Sequence, residues 1–378
     1  MDSIVRREIS QAGGRMTLAR FMELALYHPE LGYYLSPERK PGRGGDFLTS
    51  PEASPLFGIT IARQIVECWD RLDRPADFSV REYGSGVGGL AYDILAGISD
   101  LEPALFGRIQ YRLVERNRYR QAEALTAFRD VGLIDRIVDE SDATLEPITG
   151  VVLANEIADA FPAHRLVFEG GGFREAWVVA DSDSFRFENG EPSPEGLAAA
   201  ATLFEEGVTT VEGGIYDVSP AAAVWFREAC RDIERGYAFV LDYGYEATEL
   251  FRDHRLLGTL RGYSEHTATD DPFIRIGEQD LTVHVDFTAL TRAGEAAGVS
   301  FVGLTTQGAF LAGLGLGDQL TTMQKDPDAT MSEYLATQAV VLRLIDPGGL
   351  GRFRVLAMAK DSPIEPPLLG FTIAPPSF

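Results

Sequence analysis

The stretch Val80-Arg-Glu-Tyr-Gly-Ser-Gly-Val-Gly-Gly-Leu90 decides how this chain is read. It leaves an apolar, strand-like run at Phe78-Ser-Val80 and passes an acid at Glu82. Glycines follow at Gly84, Gly86 and Gly88, and then a helix-like segment, Leu90-Ala-Tyr-Asp-Ile-Leu-Ala96. A strand that turns on glycine into a helix brings bare backbone amides up to a ligand, with no side chain in the way. Nucleotide-type cofactors use this arrangement. Many glycine triplets are ordinary loops, so the turn by itself leaves its ligand open.

Outward from the turn the pattern alternates. Strand-like runs lie at 78–83, 109–115, 134–138, 150–154 and 237–242, with helical stretches such as 118–130 between them. Strands alternating with helices predict a parallel α/β sheet that binds ligands at the carboxyl ends of its strands. The gap between 155 and 237 is too long for a minimal sheet. It holds strand-like pieces at 164–169 and 173–180 and a polar loop at 181–195, and reads as an inserted hairpin and helices. Upstream, the spacing predicts an amphipathic helix over 17–28 capped by Thr17, a long Gly-, Pro- and charge-rich loop at 39–51, and a second helix over 55–70. Downstream come a strand at 258–262, a helix at 286–297, a strand at 299–305, helices at 307–313 and 329–343, and a last strand at 352–359. The proline-rich tail is expected to run over the surface or to lack order. The domain map is therefore an N-terminal helical and lid segment at 1–75, a sheet domain at 76–360 with an insertion at about 160–235, and a tail at 361–378.

Composition narrows the classes. With 378 residues, 45% of them hydrophobic and 24% charged, the chain has ordinary globular composition and can bury a large core. A formal net charge of −23 argues against a grip on nucleic-acid phosphates or on an anionic membrane. Two cysteines, Cys68 and Cys230, make neither a disulfide framework nor a zinc site and read as buried apolar residues. The five histidines are scattered, without a His-x-x-x-His pair, so no metal is expected. No apolar run has the length of a membrane span, and the N-terminus lacks a signal-peptide core. The cytoplasm is the default compartment.

Several acids stand at strand ends. The form Glu-x-Gly-x-Gly-x-Gly is the one associated with S-adenosylmethionine (SAM). Glu115 closes the second strand, where a carboxylate accepts both hydroxyls of a ribose; the alternative is a solvated strand-end acid. Glu82 stands where it either orients the loop amides or reaches a cofactor amino group. Asp139 either meets an adenine amino group or is a surface acid. At the end of the fourth strand, Asn155, Glu156 and Asp159 suit an acceptor with a guanidinium or amine, or else open a helix. His164 and His266 either line a pocket or are satisfied elsewhere. There is no nucleophile elbow and no phosphate-cradling lysine, which weakens hydrolase and NTPase readings.

With these residues in place, the chain resembles the MidA-type SAM-dependent methyltransferases. The resemblance rests on Phe21-Met-Glu-Leu-Ala-Leu-Tyr-His-Pro-Glu-Leu-Gly-Tyr-Tyr34, Gly45-Asp-Phe-Leu-Thr-Ser-Pro-Glu52, Ala154-Asn-Glu-Ile-Ala-Asp-Ala-Phe-Pro162 and Asp242-Tyr-Gly244. It rests equally on Arg261-Gly-Tyr263, Asp280-Leu-Thr-Val-His-Val-Asp-Phe287 and Thr306-Gln-Gly-Ala-Phe-Leu311. The matches run in order over about 15–360. They imply a class I methyltransferase fold, a Rossmann-like sheet with an N-terminal helical segment and an inserted α/β elaboration. Mitochondrial members methylate an arginine of a respiratory complex I subunit during assembly. By the same resemblance Glu82, Gly84 and Gly86, in the turn completed by Gly88, contact the methionine part of SAM, and Glu115 its ribose. The segment from Asp46 through Ser50 to Glu52 forms a lid or substrate loop, and Asn155, Glu156 and Asp159 face the acceptor.

The chain departs from the family where Tyr83, Ser85, Val87 and Gly89 stand in place of Leu, Pro, Arg and Thr, and where Arg116-Asn117 replaces a Ser-Pro pair. The expected function is SAM-dependent methylation of a protein nitrogen, arginine first. The alternatives are a small-molecule methyltransferase and an assembly factor that keeps the fold without transferring methyl.

Overall fold

A computed structural model describes residues 1–36, 49–252, 257–264, 267–326 and 329–375. The chain divides into two compact units, each built from three segments. One comprises Leu48–Glu156, Glu228–Tyr243 and Gly294–Phe378; the other comprises Met1–Phe47, Ile157–Arg227 and Gly244–Ala293.

The first unit is organised on a seven-stranded sheet. Its strands are β1 (Ser79–Tyr83), β2 (Gln110–Val114), β3 (Ile137–Asp139), β4 (Ile148–Asn155), β5 (Ile233–Asp242), β6 (Ser300–Thr306) and β7 (Arg354–Lys360). Their order across the sheet is β3-β2-β1-β4-β5-β7-β6. The first five run parallel, while β7 runs antiparallel to both β5 and β6. This is the mixed α/β arrangement expected from the sequence, with the direction of the last strand supplied by the structure.

Residues of β1 and β4 are buried almost without interruption, and Val151-Val-Leu-Ala154 is a continuous apolar run. A strand covered on both faces needs such a run, because neither face meets water. Helix Leu56–Arg71 lays Phe57, Ile61, Ile65 and Trp69 against the sheet, and helix Gly89–Leu101 adds Ile94, Leu95 and Ile98. Strand order reverses between β1 and β4, so their carboxyl ends diverge into a crevice of the kind where open α/β sheets bind ligands.

Of the two expectations for the tail, the structure shows the first: residues 363–367 run over the surface, and the chain is tied down there. Leu368 is fully buried in the core cluster of this unit. Arg71 donates to the Pro366 and Pro367 carbonyls, Gln64 accepts from the Gly370 amide, and Tyr237 donates to the Pro363 carbonyl. Proline removes backbone donors but leaves carbonyls, and here arginine and tyrosine side chains use them.

The second unit holds helices Asp2–Gln11 and Leu18–Tyr27, the latter capped by Thr17 as predicted. They pack with a four-stranded antiparallel sheet formed by Phe185–Gly190, Gly172–Ala180, His164–Glu169 and Ile215–Val218. The polar loop expected at 181–195 thus contains a strand. Phe185 and Phe187 alternate with Arg186 and Glu188, a period of two that the surrounding Asp, Ser and Glu obscure. Cys68 and Cys230 are both buried and not disulfide-bonded. Among the described residues no helix is long and apolar enough to cross a membrane.

Candidate functional site

The glycine turn sits where β1 ends. Gly84 donates to the Val114 carbonyl of β2 and Gly88 to the Ser85 carbonyl, which closes the turn before helix Gly89–Leu101. Gly86 has φ +55°, and a Cβ built on it would meet nothing within 4 Å, so its outer side faces open space. Gly88 has φ +80°, and a Cβ there would stand 2.7 Å from Cε2 of Phe128. The backbone at both positions favours glycine, and at Gly88 packing demands it too.

Glu115 reaches back into this turn. Its Oε2 accepts the Gly86 amide at 2.8 Å and its Oε1 accepts the Asn117 amide at 2.7 Å. The loop amide is therefore oriented by Glu115, a job the sequence reading offered to Glu82. A carboxylate has about four lone-pair positions. One amide on each oxygen leaves each oxygen one further acceptor position, and two adjacent hydroxyls match that pair. Glu82 is buried and accepts the Tyr111 hydroxyl at 2.7 Å. Burial pushes its carboxyl up to about 8; the Tyr111 bond opposes this and the Glu115 charge adds to it. Asp139 is exposed and accepts both Gln121 Nε2 and the Ser141 amide and hydroxyl. Its slight burial works against ionisation, but the Gln121 and Ser141 bonds hold it below the usual carboxylate range.

Tyr83 of β1 lies opposite Ala154 of β4, so Asn155 and Glu156 continue level with Gly84 and Ser85. The Asn155 amide nitrogen donates to Glu156 Oε1 at 3.2 Å, while its Oδ1 is buried without a hydrogen-bond partner. Glu156 has φ +52°, a left-handed conformation that non-glycine residues rarely hold. Its Oε1 also accepts the Ser50 amide at 3.0 Å. Glu52 accepts the Thr49 amide in a capping box on the short helix Ser50–Ala53, and the Ser50 hydroxyl is buried against Gln307 Oε1 at 3.0 Å. These two members of the expected substrate loop thus make internal bonds.

Further sequence candidates belong to the second unit. Asp159 is buried in a 3-10 turn of the second unit, Ala158–Ala160. In that unit burial first, then the charges of Asp280 and Asp159, push the Tyr34 hydroxyl well up; Tyr34 donates to both Asp280 oxygens at 2.8 Å. Asp286 caps helix Phe287–Ala296 through the Thr288 and Ala289 amides. His164 is buried against Glu175 at 2.7 Å. Asp46 and His266 fall outside the described residues. Among the described residues no group of three or more His, Cys, Asp or Glu is placed to hold a metal ion.

Comparison with known proteins identifies the cofactor. The family model for S-adenosyl-L-methionine-dependent methyltransferases (Methyltransf_28) matches residues 60–305. The chain belongs to this family.

The mouse protein arginine methyltransferase NDUFAF7, a mitochondrial protein, is 30% identical over 337 residues, 82% of this chain and 73% of its own length. A COG1565 superfamily protein from Burkholderia thailandensis, crystallised with S-adenosyl-homocysteine, is 33% identical with a TM-score of 0.85 over 98% of this chain and 94% of its own. A second Burkholderia thailandensis protein of that superfamily is 31% identical with a TM-score of 0.85, over 98% and 93%. The resemblance read from the sequence motifs is thereby borne out, and the cofactor of this methyltransferase is SAM. The mitochondrial setting of the relatives overturns the cytoplasmic default.

The turn fits the cofactor on its own geometry. The Ser85 hydroxyl, between two glycines of the loop, is buried without a hydrogen-bond partner. It adds a polar contact to the open side of Gly86 and the spare acceptor positions of Glu115. Sequence reasoning passed over Ser85, Tyr111 and Gln307. Ser85 departs from the family pattern, and its place between glycines is the available signal. Tyr111 gives none, because its partner Glu82 is distant in the chain; Gln307 stands in the motif Thr306-Gln-Gly, which carries the resemblance but does not reveal its partner.

Proposed function

We propose that this methyltransferase acts on an arginine nitrogen of a protein, with Asn155 and Glu156 receiving the guanidinium. The observation that carries the reading is the buried, partnerless Oδ1 of Asn155 beside the Glu156 carboxylate, level with the glycine turn. Both groups are acceptors. A guanidinium has five N–H donors and no acceptor, so it is the complement of such a pair. The related NDUFAF7 protein is named a protein arginine methyltransferase, which supports the same acceptor. A net charge of −23 favours approach of a basic segment.

SAM supplies an electrophilic methyl group carried on a sulfonium. Ser85, Gly86 and Glu115 would hold it by the groups described above, and Glu82 would face its amino group. At the acceptor side Asn155 takes one N–H, fixing the plane of the guanidinium, and Glu156 supplies the neutralising charge. As the nitrogen gained the methyl carbon, the bond from that carbon to sulfur would break and release S-adenosylhomocysteine, and the one proton lost from the nitrogen would pass to the Glu156 carboxylate. Placement and charge do most of the work, as in other transfers with little acid–base demand.

The test is transfer of labelled methyl from SAM to a peptide array containing arginine, lysine or histidine, followed by hydrolysis and identification of the methylated amino acid. Methylarginine is expected. Asn155→Ala should lower kcat by about 10- to 100-fold, the range for one hydrogen bond to a charged group, with SAM affinity within threefold of the parent. Label on lysine, or only on small molecules, would remove the arginine assignment.

A further inference from the structure

Two motifs of the family, Thr-Ser-Pro-Glu at 49–52 and Thr-Gln-Gly at 306–308, have no role in the chemistry set out above. They meet each other. The Ser50 hydroxyl donates to Gln307 Oε1 at 3.0 Å, and both side chains are fully buried. Gln307 Nε2 donates to the Leu344 carbonyl at 3.3 Å, which fixes the amide with its oxygen toward Ser50. The Gln307 amide donates to the Phe353 carbonyl at 2.7 Å, and the Thr306 side chain caps helix Gln307–Gly313 through the Ala309 amide. Gln307 is therefore nailed to the framework on three sides. From there the line continues to Ser50, whose backbone amide holds Glu156 Oε1 at 3.0 Å.

We propose that Gln307 is a positioning residue for methyl transfer: through Ser50 it holds the Glu156 carboxylate at the end of β4 in its left-handed backbone conformation. The proposal rests on the reading of Glu156 as an acceptor-side group. A glutamate has three side-chain torsions and loses that freedom only if bonds hold it. Its backbone, at φ +52°, persists only when its surroundings over-determine it. The Asn155 amide and the Ser50 amide both end on Oε1, and only the second is tied back to a rigid helix. Misplacement of a reacting group by about 1 Å costs on the order of 100-fold in rate. A bracing residue remote from the reacting atoms is thus worth its burial.

Gln307→Met keeps the side chain's length and volume but offers Ser50 no oxygen. Hydrogen exchange of the Ser50 amide should speed up by about tenfold, the factor one ordinary hydrogen bond carries. Calorimetric SAM affinity should stay within twofold. With the arginine peptide methylated by the parent enzyme, kcat should fall at least tenfold with KM for SAM unchanged. Combined with Glu156→Gln, the loss should be no larger than for Glu156→Gln alone, because both substitutions act on one carboxylate. A Ser50 amide as protected in Gln307→Met as in the parent overturns the inference, as does a double variant whose losses multiply. Undiminished kcat in Glu156→Gln removes the acceptor-site reading itself, a result distinct from either of those.

Discussion

Replacing Glu115 by alanine tests the cofactor site most directly. In the structure this carboxylate spends one acceptor position per oxygen on the Gly86 and Asn117 amides, leaving one per oxygen for the two ribose hydroxyls. A hydrogen bond to a charged acceptor is worth about 1.5–3 kcal/mol. Glu115 is half-buried, so the lower figure applies to each hydroxyl, giving about 3 kcal/mol for the pair. At about 1.4 kcal/mol per decade the dissociation constant for SAM should rise by roughly 100-fold. The substitution also releases the Gly86 amide, so the loop loses its orienting bond and the true loss is expected at or above that figure. Glu115→Gln should fall between, near tenfold, because its amide group sets a donor against one of the two backbone donors. The assay is calorimetric titration with SAM and S-adenosylhomocysteine, with thermal melting to establish that the variant is folded. A folded Glu115→Ala variant binding both ligands within threefold of the parent would refute the ribose assignment.

Two other predictions concern a buried acid and the tail. Glu82, with its carboxyl pushed to about 8 against an ordinary value near 4.5, stabilises the fold fully below that ordinary value and loses the contribution as pH rises toward 8. Urea unfolding at pH 5 and pH 8 should show the parent losing stability over this window and Glu82→Gln losing less; parallel behaviour would mean the carboxyl is not held protonated. If Glu82 meets the cofactor's amino group, SAM binding at pH 7 should also release up to one proton, read by calorimetry in buffers of different ionisation enthalpy and absent in Glu82→Gln. Leu368→Ala should cost about 2–5 kcal/mol in denaturant unfolding, as for other fully buried leucines. A cost below about 0.5 kcal/mol would mean that the tail is not part of the core.

Much of the sheet was legible because its signals are local. The glycine turn, the apolar run of β4 and the helical spacing of Ala62, Ile65, Val66 and Trp69 each lie within one element, and each element formed close to its expected place. The third strand shows the limit. The apolar pattern predicts it at 134–138, but Ile134–Arg136 form a 3-10 turn and β3 starts at Ile137, since a short apolar run carries no boundary of its own. The strand Phe185–Gly190 was hidden for the opposite reason, a sound alternation inside a polar stretch. At the site, the motif residues were found without their roles. In the segment expected as a lid or substrate loop, Glu52 makes a capping box and Ser50 is buried against Gln307, 257 positions away, bonds that no local pattern announces.

By itself, then, the sequence determined the alternation of strands and helices, the glycine turn with acids beside it and the family to which these belong, because periodicity, glycine conformational freedom and motif order are properties of neighbouring residues. The tertiary structure decided which acid holds the loop, that the Asn155 oxygen is left buried without a donor, and that Glu156 is braced through Ser50 from a helix late in the chain. Hydrogen-bond partnership and desolvation depend on which atoms folding brings within about 3 Å, and distance along the chain carries almost no information about that.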